Sequence, residues 1–295
     1  MRTLITGCNG LLGQKLIRNR AHQEEILGID LGSNSLVTDI DFQYKTLDLC
    51  DRPKTIELIR SFKPDLILHA AAMTNVDKCE LEKEACWQAN VIATDSIVTG
   101  ANYCASKIVF ISTDYIFDGI SGPYTEDDTP NPIGYYGKSK LAAENLIRGS
   151  GLSNVIIRTI VLYGVGIGLK ASFVGWLLSE LRAERTVNIV TDQRGNTTLA
   201  DDLVRGIDRI ISLKKDGIYN IGGSDHLSRF DFAIETANFF GLRTDLIKPI
   251  TTDKLKQPAK RPLLSGLDTS KAETELFISF YDLKKSLSIY QQQDN

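Results

Sequence analysis

Residues 3–13 read Thr3-Leu4-Ile5-Thr6-Gly7-Cys8-Asn9-Gly10-Leu11-Leu12-Gly13, and a stretch of helical period, Leu11–Arg20, continues from them. A short apolar run enters three glycines spaced G-x-x-G-x-x-G, so Gly7, Gly10 and Gly13 fall where a strand crosses into a helix. Glycine permits the tight turn and lets a diphosphate approach the backbone. The helix start behind it offers N–H donors and the positive end of a dipole. Three glycines near a turn are common, and the strand–turn–helix setting is what makes these a dinucleotide-binding expectation. Asp30 ends the second apolar run, 17 residues past Gly13. A carboxylate there can accept from the adenosine ribose hydroxyls and repel a 2′-phosphate, which favours NAD(H) and leaves NADP(H) as second choice. A turn aspartate beside Gly32 is the competing use of Asp30. Asp48-Leu49, past a third extended segment, can reach the adenine, or Asp48 can serve the turn before the helix that follows Asp51.

Working outward, apolar runs recur at Ile26–Ile29, Leu66–His69, Ile108–Ser112, Val155–Arg158 and Ile218–Ile221. Segments of helical period lie among them: Pro53–Phe62, Glu82–Asn102, Ser139–Arg148 and Leu199–Leu213. Short, continuously apolar strands alternating with helices predict an α/β, doubly wound parallel sheet of Rossmann type. The expected organisation is a dinucleotide-binding domain over 1–165, rejoined by 199–222. A smaller, discontinuous C-terminal substrate lobe takes 166–198 and 223–295. The basic stretch Lys248–Arg261 reads as a loop.

The 295 residues hold 34 Lys plus Arg against 37 Asp plus Glu, a net charge of −3, which speaks against a general nucleic-acid binder. With 42% hydrophobic and 24% charged residues, the composition is that of an ordinary globular chain. Three scattered histidines, His22, His69 and His226, make a histidine metal site improbable, so no metal is expected. Five cysteines without a C-x-x-C spacing fit a reducing compartment rather than a disulfide framework. The glycine loop follows Met1 too closely for a signal peptide, and Val155–Leu178 is interrupted by Arg158, Lys170 and several glycines. A cytoplasmic location without membrane contact is the expectation, and a homodimer is left open.

Tyr136 and Lys140 stand four residues apart, on one face of a helix start. Free tyrosine titrates near ~10, so an ammonium one turn away is expected to lower its pKa and make the pair an acid or base. Most Y-x-x-x-K pairs are solvated helix faces, and this one gains weight from Ser112-Thr113-Asp114-Tyr115 at the end of an apolar run. In an open parallel sheet, ligands bind outside the carboxyl ends of the strands, where the Thr113 hydroxyl can meet a substrate oxygen.

Together the glycine loop, His69-Ala70-Ala71-Ala72, Asn90, Ser112-Thr113 and the Tyr136/Lys140 pair resemble the extended short-chain dehydrogenase/reductase superfamily. Within it the chain looks most like the dTDP-4-dehydrorhamnose reductases, through Ala70–Lys78, the run Ser112-Thr113-Asp114-Tyr115-Ile116-Phe117-Asp118-Gly119, and Tyr136–Leu141. Asp192–Thr198 and Arg261–Ser265 echo the same family, and the resemblance spans about Met1 to Lys271. It implies NAD(P)H-dependent reduction of a 4-keto group on a nucleotide-linked deoxysugar, the chemistry of dTDP-rhamnose biosynthesis. Thr113, Tyr136 and Lys140 would be catalytic. Gly10, Leu11, Leu12, Asp30, Asp48, Leu49 and Ala70, Ala71 and Ala72 would line the dinucleotide, and Thr74, Val76, Asp114 and Tyr115 would face the sugar. Arg261, in the basic stretch, is the candidate near the diphosphate. The chain departs from the family at Val161, where a tryptophan is usual, at Ser172, and at Thr197. Valine would widen the sugar pocket. Two other readings compete. A nucleotide-sugar epimerase or dehydratase would share the fold, but related dehydratases carry Asp-Glu after the threonine where this chain has Asp114-Tyr115. A non-catalytic dinucleotide-binding subunit, like the methionine adenosyltransferase beta subunit, also resembles these reductases.

Overall fold

The computed structural model describes residues 1–294. Its centre is one parallel sheet built from β1 (Arg2–Thr6), β2 (Glu25–Asp30), β3 (Gln43–Thr46), β4 (Leu66–His69), β5 (Lys107–Thr113), β6 (Asn154–Thr159) and the strand Gly217–Ile221. Across the sheet the order is Gly217–Ile221, β6, β5, β4, β1, β2, β3. The chain therefore winds one way from β1 to β3 and the other way from β1 to β6, and a crevice opens at the carboxyl ends of β1 and β4.

Period-two side chains explain why the strands read as continuous apolar runs. Leu4, Ile67, Phe110 and Ile156 point to the face covered by α2 (Arg52–Phe62), α5 (Ala93–Asn102) and α6 (Tyr135–Gly149). Ile5, Leu68, Val109 and Ile157 point to the other, covered by α1 (Leu11–Arg20) and the helix Ala200–Ser212. Each such side chain contributes ~1.5–3 kcal/mol on burial, so both faces must be apolar.

The segment Glu82–Asn102, expected as one helix, is three pieces. After α3 (Val76–Leu81), α4 (Lys83–Trp87) leads into a π-helical turn, Gln88–Ile92, and then α5. The stretch Lys248–Arg261 is not all loop either: Ile247–Ile250 pairs in parallel with Val187–Val190, and Ile247 packs against Leu177, Val187 and Ala233. A single buried isoleucine in a four-residue strand leaves no periodicity to read. Helices Phe173–Arg182, Arg229–Phe239 and Leu283–Asp294 build a second apolar body around Tyr163, Val174, Phe232 and Leu287.

Candidate active site

The glycine loop closes on itself too tightly for side chains. A Cβ on Gly13 would lie 2.2 Å from the Gly7 carbonyl oxygen, and one on Gly7, at φ +68°, would lie 2.8 Å from the Ala71 backbone. Gly10 caps α1 with no side-chain hydrogen bond, and the first turn carries no acidic residue. Its backbone N–H groups at Leu11 and Leu12 are thus left for an anion, a donor set that fits a dinucleotide diphosphate. Leu12 itself packs in the core, as does Leu49 on the opposite face. These two can meet a ligand through backbone, not side chain.

Asp30 holds the loop from the end of β2. Its Oδ2 accepts from the Asn9 N–H at 3.0 Å and its Oδ1 from Leu31 at 2.8 Å. Asn9, which sequence reasoning passed over, binds the Asn34 carbonyl and the Leu36 N–H and so folds the 33–36 segment back onto the loop. Asp48 accepts from the Cys50 N–H at 2.9 Å, and Asp51 caps α2. Ala70, Ala71 and Ala72 follow β4 as a half-buried strip beside the loop. The Ala71 N–H donates to the Thr6 hydroxyl, which pairs with His69 Nδ1 at 2.8 Å, while His69 Nε2 meets Thr94. The Thr94 hydroxyl donates to the Asn90 carbonyl. Burial drives His69 down to about 3, so it is a neutral link in this chain of bonds. Among the described residues no cluster of three or more His, Cys, Asp or Glu is arranged to hold a metal.

Thr113 and Tyr136 come together because α6 rests directly on the turn after β5, and Lys140 is buried one turn further along α6. A Cβ on Gly137 would lie 2.0 Å from the Tyr115 carbonyl oxygen, so only glycine lets the helix approach. This brings the Tyr136 phenol within hydrogen-bonding reach of Thr113 and sets its ring edge-on to Tyr115, centroids 5.7 Å apart. Asn90, carried by the π-helical turn, accepts from the Met73 N–H and donates to Ser139 Oγ at 2.9 Å, tying the post-β4 strip to α6.

The electrostatics differ from the expectation that Lys140 lowers the tyrosine pKa. Burial raises Tyr136 above its ordinary range, only partly opposed by the Thr113 hydrogen bond. Lys140 is 2% exposed, and burial lowers it to about 7 against the pull of Glu144. Its Nζ lies 3.9 Å from the Phe110 ring centroid. The physical reason is desolvation: both groups sit where water cannot hydrate a charge. Glu144, one turn on, is held by Ser112 and by Arg158 Nη2 at 3.0 Å, a wholly buried ion pair.

On the sugar side, Asp114 is buried with both carboxylate oxygens occupied, by Thr113 and by the Ser265 hydroxyl, and burial pushes it up to about 6. Thr74 is exposed, and Val76 packs against the cluster of Cys79, Cys86 and Tyr136. Val161 borders a cavity between the ends of β5 and β6 and helix Arg229–Phe239, at φ +37°, an uncommon conformation for a β-branched residue. Arg261 turns away from the role expected of it. Its two Nη groups grip both Asp77 oxygens, at 2.9 and 2.8 Å, and fasten residues 259–261 to α3. A bidentate pair leaves little of its donor fork for a substrate. Arg229, on the cavity wall, had no sequence signal, because only the packing of the second body carries it there.

The family model described as the RmlD substrate binding domain matches residues 1–294. The chain is 33% identical over 298 residues to a dTDP-4-dehydrorhamnose reductase of Aggregatibacter actinomycetemcomitans, covering 97% of each chain. It is 30% identical over 280 residues to methionine adenosyltransferase 2 subunit beta of Rattus norvegicus, covering 92% of this chain and 82% of that one. Among solved structures, dTDP-4-dehydrorhamnose reductase from Bacillus anthracis in complex with NADP superposes with a TM-score of 0.90 at 26% identity, covering 99% of each chain. By its sheet, its glycine loop and these matches over its whole length, the chain belongs to the RmlD family of dTDP-4-dehydrorhamnose reductase-like proteins, within the extended short-chain dehydrogenases/reductases.

Proposed function

We propose that this protein reduces the 4-keto group of a nucleotide-linked deoxysugar with NAD(P)H. What supports the reading is the burial of Thr113, Tyr136 and, one turn further along α6, Lys140, together with an uncapped helix start that suits a diphosphate. A binding-only subunit has no need of that trio. Residues 1–165 with 199–222 serve as the dinucleotide-binding domain and 166–198 with 223–295 as the substrate lobe.

A bound NAD(P)H supplies the electron pair that reduces the carbonyl carbon. Leu11 and Leu12 hold the diphosphate by backbone N–H groups, Gly10 lets it approach the backbone, and Asp30 accepts from the ribose hydroxyls, favouring NAD(H) over NADP(H). On binding, the Thr113 hydroxyl turns its proton from Asp114 to the substrate's keto oxygen. Tyr136, kept protonated by burial, gives its proton to that oxygen as negative charge develops there. The phenolate left behind is stabilised by Lys140, whose pKa of about 7 lets it pass a proton on at neutral pH. The buried setting keeps water from the developing charge. Asp114, Tyr115 and Val161 shape the sugar pocket, with Thr74 and Val76 at its rim.

The test is incubation of purified protein with a panel of nucleotide-linked 4-keto deoxysugars and NADH or NADPH, with the product identified by mass spectrometry. Oxidation of the dinucleotide matched by a gain of two hydrogens on one sugar is expected. Tight dinucleotide binding with every sugar unconsumed would instead mark a binding-only subunit.

A further inference from the structure

The cavity beside Val161 holds a cation that the protein leaves unsatisfied. Asp114, Tyr115, Arg194, Arg229 and Ser265 are on its walls. Arg229 is half-buried, and its guanidinium makes no hydrogen bond or ion pair among the described residues. Its aromatic neighbour is Phe173, 5.8 Å from the guanidinium carbon.

The other arginines around this space are engaged. Arg194 lies 4.0 Å from Asp231 and reaches the His226 carbonyl, and Arg261 is clamped on Asp77. The carboxylate that could neutralise Arg229 is Asp114, which lies beyond ion-pair distance and has given both oxygens to Thr113 and Ser265. Tyr115 faces the same cavity with a hydroxyl that also lacks a protein partner among the described residues. Arginine cannot shed its charge to escape desolvation, so two unused donors on one wall define a site for an oxyanion. Valine at 161, in place of a broad aromatic, leaves room there for an additional substituent.

We propose that Arg229, with the Tyr115 hydroxyl beside it, binds an oxyanion of the substrate. This rests on the nucleotide-sugar reading, and two parts of such a molecule offer that chemistry: the diphosphate and a carboxylate carried by the sugar. Val161 then flanks the charged group while Thr113 and Tyr136 address the keto oxygen.

Calorimetric titration of the full chain, loaded with oxidised dinucleotide, distinguishes the sources using dTDP, dTDP-glucose and dTDP-glucuronic acid as probes. Arg229→Gln is expected to weaken the relevant ligand about 10- to 100-fold, and Arg229→Lys, which keeps the charge and loses the fork, by less. A loss shared by all three probes assigns Arg229 to the diphosphate; a loss confined to dTDP-glucuronic acid assigns it to a sugar carboxylate. Arg229→Gln binding all three as tightly as the wild type, at an unchanged melting temperature, overturns the proposal. Wild-type protein that binds these probes through Arg229 yet reduces no keto sugar would overturn the reductase reading and leave the anion site standing.

Discussion

Replacing Lys140 by methionine is expected to remove activity and make the protein more stable. Lys140 is 2% exposed and its pKa falls from 10.5 to about 7 on folding, chiefly by burial. That difference of about 3.5 units, at ~1.4 kcal/mol per unit, sets a ceiling of about 5 kcal/mol on the cost of keeping the charge inside. The cation–π contact with Phe110, ~1–2 kcal/mol when desolvated, and residual hydration of Nζ offset part of it. A net gain of about 2 kcal/mol, or roughly 4–8 °C in Tm, is the result. Its pH dependence has a definite sign. The folded pKa lies below the unfolded one, so between about pH 7 and 10.5 the unfolded chain binds the extra proton and wild-type stability climbs with pH across that window. Below about pH 7 both states are protonated and the full cost is present. Differential scanning calorimetry of both proteins should thus give the largest Tm difference at about pH 6, shrinking toward about pH 10. An unchanged or lowered Tm at the acid end, or a difference that does not fade with pH, would refute the view that Lys140 is a strained, desolvated cation.

Asp30→Ala should narrow the preference for NADH over NADPH by ~10-fold in fluorescence titration, and a wild-type preference for NADPH would contradict the role given to Asp30. Val161→Trp should raise kcat/KM for the dTDP-linked 4-keto-rhamnose precursor about fivefold, ~1 kcal/mol, with Tm held; a collapsed Tm and no kinetic gain would mean that valine is there for packing. Glu144→Gln strands Arg158 in the core and should cost ~3–5 kcal/mol in urea unfolding, much of it recovered in a Glu144→Gln/Arg158→Met double variant. Equal stability of single and double variants would show that the two side chains are not coupled.

Much of this molecule can be read from its chain because its physics is local. Strands buried on both faces must be uninterrupted runs of apolar residues, as at Ile108–Ser112, and the glycines at 7 and 13 are forced by contacts within the loop or with the segment after the neighbouring strand. The π-helical turn at Gln88–Ile92 was hidden, since one extra residue in a turn barely disturbs a helical pattern. The strands of the second body, of two to four residues, are too short to show a period. Arg261 and Arg229 illustrate the limit best. The one that resembled a binding residue is tied to Asp77, and the one left free for a ligand sits among unremarkable neighbours until residues far away in sequence fold around it. The Tyr136–Lys140 spacing was visible, but the direction of the tyrosine's shift depended on burial, which no spacing reports.

The central claim is that Tyr136 delivers the proton to the reduced keto oxygen, and single-turnover kinetics of Tyr136→Phe test it most directly. With enzyme in excess over a nucleotide-linked 4-keto deoxysugar accepted by the wild type, the variant should bind the reduced dinucleotide with unchanged affinity and oxidise it ~10²–10⁴-fold more slowly. A Tyr136→Phe variant that turns over its bound dinucleotide at nearly the wild-type rate would contradict the account.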